Sequence, residues 1–328
     1  MTDNQNTETQ NKHLFTIDKD YNKIKLDKFL ADKFGVGFSL IRKMARKGQI
    51  RLNSSRVKGN EVLKIGDTVK VPGLFLNSQA EMANQDIKSK GLFTAKQIKD
   101  AKTWILYEDD DILVMNKPAG IPVQAGSGQE KSIDRLFAEV YPEKAPKLVH
   151  RLDKDTSGCL IMAKNKSVAK DLVTQFAKRK THKTYLTIVV GNLQDPQGEI
   201  NFSVEKQFTE HNKERMKVVD NAGKDAKTYY KRIARHKNYH FLEVEIETGR
   251  THQIRVHMQS IGTPILGDGK YSDKAFNVLP NGKKVKMCLH SYKLEIVHPI
   301  TEKVMEFKAP VNSKMLEVMD ILGFSHKK

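Results

Sequence analysis

Leu148-Val149-His150-Arg151-Leu152-Asp153-Lys154-Asp155-Thr156-Ser157-Gly158-Cys159-Leu160-Ile161-Met162 is the stretch on which the reading of this chain turns. A short apolar run enters it, charged and hydroxyl side chains follow, and Gly158 hands over to a second apolar run, the pattern of a strand, a loop and a strand. The charges therefore fall where two core segments meet. Local pattern alone leaves two readings open: a tight turn with a solvated Arg and Asp, or a loop that carries chemistry.

Downstream, a helix is expected from about Ser167 to Arg179 with Val168, Leu172, Phe176 and Ala177 on its buried face, then a strand from His182 to Gly191. Gln194 to Asp225 is polar, with Lys206, Lys213, Arg215 and Lys217, and reads as a loop over a polyanion or as a solvated insertion. Strands resume at Thr228 to Ala234 and at Tyr239 to Glu247, the latter alternating apolar and acidic residues as a strand with one wet face does. Next comes Thr248-Gly249-Arg250-Thr251-His252-Gln253-Ile254-Arg255-Val256-His257-Met258. Gly249 makes a strand-to-helix corner, and Ile254 and Met258, four apart, share a helical face. His252 and His257 lack a cysteine or acidic third ligand at zinc spacing, so no metal is expected. A last helix is expected from Asn312 to Leu322, with Met315, Leu316, Val318 and Met319 inward.

Upstream, Trp104 to Tyr107 and Ile112 to Met115 alternate like strands around an Asp109-Asp110-Asp111 turn. Consecutive turn residues point different ways and no His or Glu joins them in sequence at ligand spacing, which again argues against a metal. Ala125-Gly126-Ser127-Gly128 lacks the spacing of a nucleotide loop. Nearer the start, Leu26, Phe29 and Leu30 mark one helix. Ser39 is expected to cap a second, with Leu40, Ile41 and Met44 inside and Arg42, Lys43, Arg46 and Lys47 outside. Ile50 to Asn53 and Val69 to Val71 read as strands with turns at Asn53-Ser54-Ser55 and Gly66-Asp67.

The 328 residues favour two domains. Lys and Arg number 57 against 39 Asp and Glu, a net charge of +18, which favours a polyanionic partner through counterion release. There is no membrane-length apolar stretch and no signal pattern, so a cytoplasmic protein without a membrane partner is expected. Cys159 and Cys288 each lie in a β-like apolar run and read as reduced core residues.

The stretch around Asp153 resembles the signature loop of the pseudouridine synthases, in the branch that modifies ribosomal and transfer RNA and carries His-Arg-Leu-Asp. The resemblance runs from about Lys25 to about Leu322. It includes Asn116 to Gly120, where a rigid Lys-Pro turn supports the cleft, and the Gly267-Asp268 and Lys270-Tyr271 loop. It ends with Leu289 to Leu294 and His298-Pro299. It implies that Asp153 is the essential carboxylate, that Tyr185 lies against the uracil and accepts the C5 proton, and that Arg255 pairs with Asp153. A carboxylate in a dry pocket would otherwise take up a proton, and a guanidinium keeps it ionised and aimed. Arg151, Leu152, Thr156, Ser157, Gly158 and Leu294 are expected to line the pocket or support the loop, Thr156 and Ser157 through hydroxyl-to-backbone bonds. Arg42, Arg46, Lys47, Arg51, His150 and Arg250 are expected to contact RNA, mainly at phosphates.

The expected architecture is α+β. A polar tail (1–20) precedes an S4-like RNA-binding domain (21–76) of small α/β type. A linker (77–102), a catalytic domain on a mixed, mainly antiparallel sheet (103–323) and a basic tail (324–328) follow. The expected function is conversion of uridine to pseudouridine in RNA, foremost large-subunit (23S) ribosomal RNA or its precursor particle, by a monomer. The isomerisation involves no redox change, so no cofactor is expected. The alternatives are the same reaction on transfer RNA and a non-catalytic RNA-binding or ribosome-assembly protein, which would not need Asp153 and Arg255 together.

Overall fold

The computed structural model describes residues 13–18, 21–76, 91–125, 131–208, 214–219 and 223–324. The chain divides into two units, Met1–Lys90 and Gly91–Lys328. Most of the expected tails, the 77–90 part of the expected linker and the piece from Gly126 to Gly128 lie outside the described residues.

In the first unit, β1 (Leu14–Thr16), β2 (Arg51–Leu52), β3 (Ser55–Arg56) and β4 (Thr68–Lys70) form a sheet of order β1-β4-β2-β3. The strand at Leu14 corrects the expectation of a tail reaching residue 20. Asn53 and Ser54 both have positive φ (48° and 66°), the two-residue turn whose twist matches paired strands. The Asn53 amide donates to Asp67 and its oxygen accepts the Thr68 N–H, each at 2.8 Å. Helices α1 (Leu26–Phe34) and α2 (Phe38–Arg46) bury Phe29, Leu30, Phe34, Ile41 and Ala45 together with Ile50 and Val69 of the sheet segment. Ser39 is not the cap of α2. Gly37 holds that position, its carbonyl accepting the N–H of Leu40 and of Ile41, and no side-chain cap is made.

The second unit opens with α3 (Ala95–Lys102), whose Thr94 and Gln97 cap each other reciprocally. Phe93 and Ala101 enter the main core beside Phe137 of α4 (Ile133–Val140). Residues 91–102 thus belong to the second unit rather than to a linker; the Thr-x-x-Gln signature of a capping box was the overlooked signal. The strands that follow are β5 (Ile105–Glu108), β6 (Ile112–Lys117), β7 (Lys147–Leu148), β8 (Ser157–Ala163), β9 (His182–Val190), β10 (Gln197–Asn201), β11 (Ser203–Phe208), β12 (Glu214–Val219), β13 (Lys227–His236), β14 (Tyr239–Ile246), β15 (Leu289–Val297) and β16 (Val304–Lys308). Ten of them make one sheet along the path β10-β13-β14-β9-β15-β8-β6-β5, with β16 on β15 and β7 on β8. All its pairings are antiparallel except β15 with β8, as a mixed, mainly antiparallel sheet requires.

The sheet forks at its centre. One edge of β15 pairs with β9 over its length, while the other takes β8 at His290 and Ser291 and then β16 from Lys293 onward. Gly158 lies at the fork with φ +110°, and a Cβ there would stand 2.1 Å from the Ser291 carbonyl oxygen. Only glycine permits that approach.

The described residues of the polar stretch after Gln194 are largely strand rather than loop. They supply β10 to the main sheet and the hairpin β11–β12, whose Val204, Met216 and Val218 pack on Val256 and Tyr271. Two smaller expectations also fail. Ala177 of α5 (Lys166–Ala177) and Leu316 of α7 (Ser313–Ile321) are exposed, because the buried stripes run through Leu172 and Gln175 and through Met315, Val318 and Met319. A histidine does join the aspartate turn in space: His298 Nε2 lies 3.1 Å from Asp109 Oδ2, with Asp111 in the same cluster. Those carboxylates already accept bonds from the Tyr107 hydroxyl, the N–H groups of Asp111 and Ile112, and the Asn165 amide, which makes them a pin for the turn. Cys159 and Cys288 are buried and free.

Candidate active site

The loop between β7 and β8 carries Asp153 five residues ahead of Gly158 at the fork, and its surroundings hold it by backbone. The Gly120 N–H donates to the Lys154 carbonyl at 2.8 Å and the Thr156 N–H to the Asp153 carbonyl at 3.2 Å. Lys117, fully buried, donates from Nζ to the carbonyls of Pro118, Ile121 and Lys154 at 2.9, 2.8 and 3.1 Å. Burial pushes its ammonium down to about 7, against the pull of Asp155 and Asp153. Ser157 does not brace the loop through backbone as expected. Its Oγ bonds to His290 Nδ1 at 2.8 Å and accepts from the Asn312 amide at 2.9 Å. His290 Nε2 in turn meets the Ala309 carbonyl at 3.0 Å, so Nε2 carries the proton and Nδ1 accepts from Ser157.

Facing this loop is the start of α6 (Gln253–Ser260). Gln253, buried, organises the corner: its oxygen accepts from the Thr248 hydroxyl and the Arg250 N–H, and its amide donates to the Lys227 carbonyl and Thr228. Two residues on, Arg255 donates from Nη1 to Asp153 Oδ2 at 3.2 Å. It is gripped from behind by Asp268, whose two oxygens accept from Nε and Nη2 at 2.7 and 2.8 Å. A bidentate pair fixes a guanidinium in plane as well as in place. Asp268 is 1% exposed and Arg255 7%. Burial raises the Asp268 carboxyl, but the Arg255 guanidinium and the N–H groups of Lys270 and Tyr271 outweigh it and hold it below the usual carboxylate range.

His252 caps α6 in the left-handed region (φ 56°) and lies with Nε2 3.8 Å from the same Asp153 Oδ2. Its Nδ1 is 2.7 Å from the Tyr271 hydroxyl, which also accepts the Met216 N–H at 3.0 Å. Burial pushes the ring down to about 4, so it is neutral near pH 7. A bare ring nitrogen facing a carboxylate would be repelled. The single proton therefore sits on Nε2, and a hydrogen-bond sequence runs from Met216 N–H through Tyr271 O–H to His252 Nδ1. The Tyr271 ring also faces the guanidiniums of Arg255 and Arg215, at 5.0 and 5.1 Å from its centroid.

Tyr185, on β9 opposite Ser291 of β15, is 8% exposed. Burial and the charge of Asp153 push its phenol up, against a hydrogen bond with Ser291 that lowers it. It lines a cavity with Leu152, Asp153, Ile246, Arg255 and Leu289, and Arg151, Thr156 and Arg250 also border it. A larger cavity of about 630 Å³ adjoins it and shares Asp153, His252 and Arg255. The structure thus brings together Arg151, Leu152, Asp153, Thr156, Tyr185, Arg250 and Arg255 of the residues read from sequence.

Two expected residues lie elsewhere. His150 stacks on Phe176 with centroids 4.4 Å apart and accepts the Ile161 N–H at Nε2, and burial pushes its ring down to about 3. It is a strut under the loop and does not line the cavity. Leu294 points to the opposite side of the sheet, packing with Val149, Cys159 and Phe307. Leu289 takes the expected place on the wall: five positions before Leu294 in the same strand, it falls on the other face by simple alternation. Sequence reasoning gave no site role to Asp268, His252, Gln253 or Tyr271. In the first unit Arg42, Arg46, Lys47 and Arg51 are all exposed.

A loop carboxylate steered by an anchored arginine thus stands beside a buried tyrosine at the fork of a mainly antiparallel sheet. Residues 111–260 match the family described as RNA pseudouridylate synthase. The chain belongs to that family, and is thus an isomerase that converts uridine in RNA to pseudouridine. It is 32% identical over 312 residues to the ribosomal large subunit pseudouridine synthase C of Vibrio vulnificus (strain CMCP6), spanning 94% of this chain and 96% of that one. It is 34% identical over 321 residues to the protein of the same name from Salmonella typhi, spanning 96% and 98%. Among solved structures, human RNA pseudouridylate synthase domain containing 4 shares the fold, with a TM-score of 0.58 at 21% identity over 71% of this chain and 99% of that one. Among the described residues, no helix is long and apolar enough to cross a membrane.

Proposed function

We propose that this enzyme isomerises uridines in large-subunit (23S) ribosomal RNA, with Asp153 as the essential carboxylate, Arg255 as its partner and Tyr185 against the base. The observation that carries the site assignment is the contact of Arg255 with a single oxygen of Asp153 while Asp268 holds Arg255 from the other side. His252 approaches that same Oδ2. Among the described residues Oδ1 makes no hydrogen bond, and it is the oxygen we assign to the reaction.

The target uridine leaves its stack and enters the cavity, at a free-energy cost of about a few kcal/mol that phosphate contacts and inserted side chains offset. Asp153 then adds to C6 of uracil, attacks C1 of the ribose, or takes the ribose C2 proton. On each route the bond from C1 of the ribose to N1 breaks, the base turns, the bond from C1 to C5 forms, N1 gains a proton and C5 loses one. The C5 proton goes to Tyr185. Its phenol is protonated before the step, so it takes up the C5 proton as it passes its own on through solvent, and this balances the proton that N1 gains. Arg151 and Arg250, at the mouth of the cavity, hold phosphates.

The exposed Arg42, Arg46, Lys47 and Arg51 suit a first unit that acts as an S4-like RNA-binding domain on phosphates. We place the enzyme in the cytoplasm, as a monomer. Identity above 30% over nearly whole chains to two ribosomal large subunit synthases supports the ribosomal target.

The test maps pseudouridine at nucleotide resolution in ribosomal and transfer RNA from cells lacking the gene, complemented with wild type or Asp153→Asn. Large-subunit sites lost on deletion and restored only by wild type are expected. Loss confined to transfer RNA would overturn the target, and unchanged RNA in both pools would overturn the substrate class.

A further inference from the structure

A second groove lies beside the catalytic cleft and plays no part in the chemistry above. It has a volume of about 450 Å³, within the roughly 300–1,000 Å³ typical of small-molecule sites. Val285, Lys286 and Met287 line both this groove and the cavity that holds Asp153, so one short wall separates them. On its other side runs α7, which contributes Met315 and Ile321.

Its chemistry has two parts. The walls are apolar, with the thioethers of Met287 and Met315 among them. The rim is basic: Lys284, Lys286 and Lys314 are exposed and, among the described residues, make no ion pair. The only acid in the lining, Glu317, is paired with Lys283. An apolar slot under uncompensated positive charge fits an unstacked nucleotide, whose base offers two apolar faces and whose phosphates are anionic. Polarisable sulfur suits contact with an aromatic ring.

We propose that this groove seats the base of a nucleotide adjoining the target uridine in the same RNA strand, with flanking phosphates on Lys284, Lys286 and Lys314. This rests on the reading of the Asp153 cleft as the uridine site. Flipping one base removes a stacking partner from its neighbour, and a seat for that neighbour recovers part of the loss. The lining amide of Asn312 is already committed, donating to Ser157 and accepting the Met315 N–H. The seat therefore accepts a base by shape and stacking rather than by reading its edges, and tolerates different sequences at that position.

The test uses the full chain with ¹³C-methyl methionine and two probes, uridine 5′-monophosphate and a single-stranded RNA nonamer with one central uridine. Ile321 is 37% exposed, so Ile321→Trp can fill the groove without displacing the core, and thermal unfolding verifies that the variant is folded. The expected result is that the nonamer shifts the methyl signals of both Met287 and Met315. The mononucleotide should leave Met315 unmoved. In Ile321→Trp the Met315 response should disappear while that of Met287 persists, with kcat/KM on a mapped target RNA falling at least tenfold. A nonamer that saturates Met287 without moving Met315, or moves neither, overturns the seat, as does an Ile321→Trp enzyme that is folded and fully active. A Met315 response to the mononucleotide alone would make the groove an independent nucleotide site and also overturn it. Pseudouridine mapping judges the catalytic reading separately: sites assigned there stand whatever the methionines report.

Discussion

Replacing Asp268 by Asn should damage both the fold and the chemistry, whereas replacing Asp153 by Asn should damage only the chemistry. In the wild type Arg255 is buried, with two bonds to Asp268 at 2.7 and 2.8 Å and one to Asp153 at 3.2 Å. Asn at 268 keeps the shape but removes the charge and turns an NH₂ toward the guanidinium, so one of the two short bonds is lost and a buried cation keeps only a longer, partly exposed partner. Breaking a buried pair from one side costs about 3–5 kcal/mol. At roughly 2–4 °C per kcal/mol for a domain of this size, Tm should fall by about 6–20 °C. Arg255 then turns from Asp153, and single-turnover release of the C5 hydrogen from RNA labelled at that position should slow by about tenfold or more. Asp153→Asn leaves the Asp268 grip intact, so its Tm should stay within about 3 °C of wild type while turnover disappears. Calorimetry and the hydrogen-release assay on the same preparations decide the matter. An Asp268→Asn enzyme with wild-type Tm and rate would refute the idea that Asp268 organises Arg255.

The same pair sets an acid limb. The folded Asp268 carboxyl lies below its usual value, so its contribution is complete above the unfolded carboxylate pKa of about 3.9 and is lost as pH falls through the lower folded value; the Tm gap between wild type and Asp268→Asn should narrow below about pH 4. Tyr271→Phe removes the hydroxyl that fixes the His252 tautomer and orphans the Met216 N–H, and should lower kcat about tenfold with little change in KM and a stability loss of about 1 kcal/mol; an unchanged kcat would count against the His252 assignment. Gly158→Ala places a Cβ 2.1 Å from the Ser291 carbonyl and should abolish soluble expression, or cost several kcal/mol by denaturant titration. Arg42→Ala with Arg46→Ala should weaken binding to all RNA sequences alike and reduce the slope of log affinity against log salt by about 1 per contact; a slope equal to wild type would remove these residues from the interface.

Asp153, Tyr185 and Arg255 were named through the resemblance and its motifs, and the structure sets them around one cavity; by local pattern alone a tyrosine in the run His182–Val190 does not stand out. What the motif did not convey is direction. The Gly267-Asp268 loop was visible as a matching segment, yet nothing local says that the carboxylate folds back onto a helix residue 13 positions earlier. His150 and Leu294 failed for the same reason: in extended chain a residue's face depends on register, which the local motif does not fix. The hairpin β11–β12 was missed because Val204, Met216 and Val218 are spaced among charged residues and bury themselves only against Val256 and Tyr271. The strand order belongs to tertiary structure altogether, and the resemblance rather than residue pattern supplied the mixed sheet.

Asn312 both caps the last helix, accepting the Met315 N–H, and donates to Ser157 at the root of the Asp153 loop. The loop thus depends on a partner 155 residues later in the chain, and β15 and β16 must also be in place before the fork exists. Such long-range closure comes late in folding. While the chain is still being synthesised, a fragment that has not yet released residue 312 holds every motif of the signature loop but not the bracket that sets it. A chain that ends before Asn312 is accordingly expected to be inactive toward RNA even with its signature loop complete.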